Sequence, residues 1–106
     1  MIKNTDGRMK VAWTELALYQ FDDALDYWDE HNKSTAYSKK LRAKVKSQIQ
    51  FLKEFPYSGR QSVYVSARYV VIDRYSIFYR IDDDVIHILA FWHNSQEPDK
   101  LLDAIN

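Results

Sequence analysis

A change of hydrophobic period at Phe55–Gly59 limits what this chain can fold into more than any other feature. Before it, apolar residues recur every three or four positions: Ala17, Phe21, Ala24, Leu25 and Trp28, then Tyr37, Leu41, Val45, Ile49 and Leu52. That spacing predicts a first helix from Glu15 to about His31 and a second from about Thr35 to Phe55. Thr14 suits the first N-cap, and Glu15 places an acid where the helix dipole favours one. Asn32–Ser34 is too short a break for anything but an antiparallel helical hairpin. Pro56 and Gly59 end the second helix. Beyond them the period is two, predicting strands at Tyr69–Ile72, Arg74–Ile81 and Val85–His93, the last two joined by a turn at Asp82–Asp84. Met9, Val11 and Trp13 alternate as a short leading strand, and Pro98 opens a short helix over Asp99–Ile105. The order β-α-α-β-β-β-α reads as an α+β fold, with the helical hairpin packed on one face of a small, mainly antiparallel sheet.

With 106 residues there is room for one domain, expected at 9–106 behind a polar, flexible leader at 1–8. A chain 46% hydrophobic and 15% aromatic is not disordered. The absence of cysteine excludes disulfides, thiolate metal sites and a cysteine nucleophile. Two glycines, Gly7 and Gly59, cannot build a phosphate-cradling loop, and no glycine–serine–glycine elbow is present. His31, His87 and His93 lie on different elements or about 20 Å apart along one strand, so neither a metal site nor a cofactor is expected. No apolar run reaches the ~18 residues of a membrane span. A cytoplasmic location and no membrane partner are the expectation.

Charge is divided between the predicted helices. The first carries Glu15, Asp22, Asp23, Asp26, Asp29 and Glu30 without Lys or Arg; the second carries Lys39, Lys40, Arg42, Lys44, Lys46 and Lys53 against Glu54. The simplest reading is two solvated faces attracting each other across the hairpin. In the strands, alternation assigns Tyr75, Ile77, Tyr79, Ile81, Ile86, Ile88, Ala90 and Trp92 to the helix-covered face. The opposite face then collects Arg74, Arg80, His87 and His93 around Phe78, Leu89 and Phe91, with Arg68 and Arg60 nearby. Arginine suits bidentate phosphate or carboxylate contacts, and three apolar groups on an outer face need a cover, from a partner chain or from the C-terminal helix. Arg80 is expected to pair with the aspartate turn or to face solvent.

Several segments carry a family resemblance in order and spacing: Trp13-Thr14-x-x-Ala17, the Tyr27-Trp28 pair, Phe55-Pro56-x-Ser58-Gly59-Arg60, Arg68, the run from Tyr75 to Leu89, and Trp92 to Pro98. Together the chain resembles the ParE/RelE superfamily of type II toxin–antitoxin toxins, which includes plasmid stabilisation proteins, over about residues 9–100. The resemblance implies a small α+β toxin that inhibits growth and is neutralised by a cognate antitoxin, whose extended segment would contact Phe78, Leu89 and Phe91. ParE-like members poison DNA gyrase. RelE-like members cleave mRNA on the ribosome, without metal, through the RNA 2′-hydroxyl; in that case alone Arg68 and His93 would be the catalytic residues. Under either reading Arg60, Arg74, Arg80 and His87 would be functional sheet-face or target-binding residues. The usual basic pair after the last strand is His93-Asn94 here, no tyrosine follows Tyr79, and Asn94, Ser95 and Gln96 stand where basic residues are usual. The hairpin, the Phe-Pro-x-x-Gly-Arg turn and the terminal His-x-x-x-x-Pro are ParE-like. The resemblance therefore implies a gyrase-directed toxin, with the ribosome-dependent nuclease and a non-toxic, antitoxin-binding relative as alternatives.

Overall fold

A computed structural model describes residues 9–105; the leader expected at 1–8 lies outside them. The elements are β1 (Lys10–Trp13), α1 (Glu15–Asn32), α2 (Ala36–Glu54), a single 3-10 turn (Pro56–Ser58), β2 (Arg60–Gln61), β3 (Arg68–Ile72), β4 (Tyr75–Asp82), β5 (Val85–His93) and α3 (Pro98–Ile105). They form a five-stranded sheet in the order β1-β5-β4-β3-β2, with β1 parallel to β5 and every other pairing antiparallel. The α+β order is the expected one, with a two-residue edge strand, β2, added. Two residues of polar sequence could not announce it.

Local chemistry sets the joints. The Thr14 hydroxyl accepts from the Ala17 N–H at 3.1 Å and caps α1. Lys33 closes α1 at φ 53°, and Asp73 and Asp83, at φ 53° and 54°, open the two-residue β3–β4 and β4–β5 turns. Aspartate tolerates this left-handed conformation better than most side chains, so each turn can be short without glycine.

The sheet buries both faces. Under the hairpin lie Phe21, Leu25, Leu41, Val45 and Leu52 against Ile77, Tyr79, Ile86, Ile88 and Phe91. On the other face Phe78, Ala90 and Trp92 are covered by Leu101 of α3 and by Val65 and Ala67 of the β2–β3 loop. The second cover is the C-terminal helix rather than an open apolar patch.

Strict alternation misplaces the second half of β5. Phe78 pairs with Ala90 but Tyr79 pairs with Ile88, so Leu89 is an extra, bulged residue. An inserted residue flips every side chain after it to the other face. Phe91 is therefore 2% exposed beneath α1, stacked on Tyr75 at 4.5 Å and edge-on to Phe21 at 4.9 Å, not on the outer face. His93 follows it to the helix side, while Ala90 and Trp92 move outward. The backbone groups freed by the bulge are taken up locally: the Thr14 hydroxyl donates to the Leu89 carbonyl at 3.3 Å, and the Phe91 N–H donates to Gln20 Oε1 at 2.8 Å.

Opposite charges on the two helices do not pair with each other. Among the described residues the one ion pair is Lys44–Asp73 at 2.9 Å, tying α2 to the β3–β4 turn. Tyr37 donates to the same carboxylate at 2.8 Å. Hydrogen bonds from Lys44 and Tyr37 lower the Asp73 pKa. Burial, and then the Asp73 hydrogen bond, push the Tyr37 phenol up to about 12. An unfolded tyrosine ionises near ~10, so the folded chain keeps this proton longer. The resulting stabilisation is whole below pH ~10 and disappears as pH climbs through the folded value. Burial raises Tyr75 and Tyr79 in the same direction. The thermal midpoint should therefore fall above pH ~10, and less steeply for Tyr37→Phe than for the parent chain. A Tyr37→Phe profile superimposable on the parent's would show that the network contributes nothing.

Candidate functional site

The arginines and histidines singled out in the sequence do not form one cluster. The structure separates them into three places.

The first is the turn after α2. Tyr79, fully buried, donates from its hydroxyl to the Pro56 carbonyl at 2.8 Å and accepts from the Gly59 N–H at 2.9 Å. Burial raises its pKa, and the Gly59 bond opposes that only in part. Arg68 stands opposite Tyr79 on β3 and spends its guanidinium on this turn. One of its terminal nitrogens donates to the carbonyls of Gly59 at 2.8 Å and Tyr57 at 3.2 Å, and the group lies 5.2 Å from the centre of the Tyr57 ring. Phe-Pro-x-x-Gly-Arg is thus a packed corner held from inside by a phenol and from outside by an arginine. Arg60, on β2, is exposed.

The second place is the outer sheet face. Arg80 and His87 are cross-strand partners there. Arg80 donates from Nε to the Ser66 carbonyl at 2.8 Å, bracing the β2–β3 loop instead of meeting the aspartate turn. Phe78 and Leu89 belong to the apolar layer on this face.

The third place is a cleft of about 650 Å³ between α1 and the Tyr75–His93 end of the sheet. Arg74 and His93 line it with Tyr19, Tyr27, Trp28 and Tyr75, and Asp23, Ser95 and Gln96 sit at its rim. Trp28 donates from Nε1 to the Tyr75 hydroxyl at 2.8 Å, and burial raises the Tyr75 pKa despite that bond. Arg74 lies 5.9 Å from the centre of the Trp28 ring, and His93 meets Tyr75 edge-on at 5.0 Å. The Ser95 N–H donates to His93 Nδ1 at 3.1 Å, with Ser95 Oγ 2.6 Å from the same nitrogen. A main-chain N–H can only donate, so Nδ1 carries a lone pair and the neutral ring has its hydrogen on Nε2. His93 and Arg74 are both donors at this cleft, suited to an anionic or carbonyl group. Alternation already puts Tyr75 on the helix side; the Leu89 bulge brings His93 to the same face, beside Tyr75 and the Tyr27-Trp28 pair of α1.

Arg68 and His93 do not converge. They stand opposite Tyr79 and Tyr75 on β3 and β5, on either side of β4. Four residues of strand separate their levels by about 13 Å, and two strand spacings add ~10 Å sideways. No group of His, Asp or Glu among the described residues could hold a metal ion, and no described helix is long and apolar enough to cross a membrane.

The comparisons with known proteins agree with this architecture. The family model described as ParE toxin of type II toxin-antitoxin system, parDE, matches residues 11–98. A solved chain from the chromosomal ParDE toxin–antitoxin system of P. aeruginosa superposes with a TM-score of 0.70 at 20% identity, covering 82% of this chain and 97% of that one. At that identity the likeness is one of fold. No curated protein matches in sequence. The family match spans α1, α2, the Phe55–Arg60 corner and the sheet from Val11 onward, and the chain belongs to the ParE toxins of type II toxin–antitoxin systems.

Proposed function

We propose that this ParE-type toxin inhibits growth by acting on DNA gyrase in the cytoplasm and is neutralised by a cognate antitoxin. The observation that carries the choice of target is the separation of Arg68 from His93. A ribonuclease that activates a 2′-hydroxyl and protonates a leaving oxygen needs its acid, base and charge-stabilising groups around one phosphate. Here the arginine is bound to main-chain carbonyls of the Tyr57–Gly59 corner, and the histidine sits at the other end of the sheet with Nδ1 occupied by Ser95. The formal net charge of zero agrees, since a protein working among ribosomal phosphates gains from excess Lys and Arg.

Two assays on one preparation test this. Purified toxin added to gyrase and supercoiled plasmid should accumulate cleaved DNA, while mRNA in a cell-free translation reaction should stay intact. Cuts in the ribosomal A site that His93→Ala abolishes would reverse the assignment in favour of the nuclease. Neither activity, from a folded protein, would favour a chain that retains antitoxin binding alone, in keeping with Asn94, Ser95 and Gln96 in place of basic residues.

A further inference from the structure

The outer face of the sheet holds a cavity that the proposed function does not use. It lies between the β2–β3 loop and the entry to α3, with a volume of about 210 Å³. An apolar cavity of ~150 Å³ is enough to take up benzene, so this one has room for a somewhat larger ring system. Ser76, Phe78 and Trp92 form its buried wall, each 6% exposed or less. Tyr69 packs on Phe78 with ring centres 5.5 Å apart. Tyr64, half exposed, lines the cavity from the β2–β3 loop. That loop is pinned. The Ser62 hydroxyl accepts from the Tyr64 and Val65 N–H groups at 3.0 and 3.3 Å, and the Ser62 N–H donates to the Ala67 carbonyl at 2.9 Å.

Among the described residues no charged side chain lines this cavity; its polar groups are amides and hydroxyls. Asn94 is held at two points. Its N–H donates to the Arg74 carbonyl at 2.8 Å, and its Oδ1 accepts from the buried Ser76 hydroxyl at 2.7 Å. The end of this amide left for a ligand is the NH2, a donor. Gln61 and Gln96 add amides that can donate or accept. An uncharged lining selects an uncharged ligand, since an ion would be desolvated without a counter-charge. A phenyl side chain from a protein partner would fill the volume but leave the Asn94 NH2 without an acceptor, which costs binding. A planar ring with donor and acceptor atoms along its edge satisfies the aromatic walls and the amides together. By that combination a base taken out of its stack is read, with its faces against aromatic side chains and its edge on hydrogen-bonding groups.

We infer that this cavity binds one nucleobase, with its ring against the aromatic walls and an acceptor on its edge taking the Asn94 NH2. The site goes beyond the gyrase reading and does not rest on it. Adenosine and cytidine, titrated separately into the isotope-labelled full chain, provide the test. At least one should shift the resonances of the Trp92 indole and the Asn94 side-chain amide, while ribose and inorganic phosphate leave them in place. N-acetylphenylalaninamide should bind at least about tenfold more weakly than that nucleoside, because it leaves the amides unpaired. Asn94→Asp keeps an acceptor for Ser76 but removes the NH2, and should weaken the nucleoside about tenfold. Tyr64→Ala, at an exposed side chain, should weaken it about fivefold or more. A single-stranded oligonucleotide of the same base separates the two sources of such a ligand, and either result upholds the site. Tighter binding than the nucleoside would make the ligand an unpaired base in a strand; weaker or equal binding would make it a free nucleoside. No shift at millimolar nucleoside, shifts confined to another surface, equal binding of the phenylalanine amide, or affinity unmoved by both substitutions would each overturn the inference.

Discussion

Gly59→Ala should destabilise this protein by ~3 kcal/mol or more, a large share of what a domain of this size has to lose. The backbone there is unremarkable, with φ −72°, so the glycine is not required by conformation. It is required by space. A Cβ would stand 2.4 Å from the Tyr79 hydroxyl, 2.8 Å from Cε1 of the same ring and 3.0 Å from the Tyr69 carbonyl. Tyr79 is fully buried and has nowhere to swing, and the carbonyl belongs to the β3 backbone. Overpacking of this kind costs about 1–3 kcal/mol, and pushing the phenol away also breaks its bonds to Pro56 and Gly59, at about 1–3 kcal/mol for buried groups left unpaired. Tyr79→Phe isolates the second cost, leaving the ring in place. It should lose ~1–2 kcal/mol. The double variant should be less destabilised than the sum of the two, because removing the hydroxyl removes the closest clash. Urea unfolding of the three proteins reads these numbers directly; a Gly59→Ala midpoint equal to the parent's would mean that the corner is not as tightly filled as described.

Phe91 gives the second large effect. On an exposed outer face, Phe91→Ala would change stability little. Beneath α1, between Phe21 and Tyr75, it should cost ~3–5 kcal/mol, and Phe91→Glu, which buries an unpaired carboxylate, should prevent folding at neutral pH. Deletion of Leu89 is the informative partner. It removes the bulge but leaves Ala90, Phe91, Trp92 and His93 on their present faces, since the register on either side already pairs Tyr79 with Ile88 and Phe78 with Ala90. That variant should fold, losing about 1–2 kcal/mol for one partly buried leucine. A deletion more damaging than Phe91→Ala would show that the bulge is needed for the fold and is not an accommodated insertion.

The sequence made the helices and the β3–β5 strands legible because each carries several apolar residues at one period and ends at a residue with a definite backbone preference: Thr14, Pro56, Asp73, Asp83. β2 has no such run. Its two residues are placed by the Gly59 corner and by the Ser62–Ala67 hydrogen bond, neither of which has a periodic signature. The candidate site was legible as residue types but not as places. Arg74 and His93 were singled out, yet Tyr75 and Trp28, which form the wall beside them, read as core. Arg68 read as a target-facing or catalytic cation and Arg80 as a partner of the aspartate turn or of solvent, because main-chain carbonyl acceptors leave no trace in sequence. One inserted residue, Leu89, accounts for Phe91, His93, Ala90 and Trp92 together, since parity has no tolerance for an odd insertion.

The parallel pairing of β1 with β5 has a consequence for the order of events during synthesis. Thr14 reaches across 75 positions to Leu89, and β1 has no other strand to join. The hairpin, complete by Glu54, can rest only on itself until Ile77, Ile86, Ile88 and Phe91 have been made. Contacts of such long sequence separation are closed late and slowly. A nascent chain therefore offers no partner a finished surface while β5 is untranslated, and the folded toxin exists only once that strand has left the ribosome.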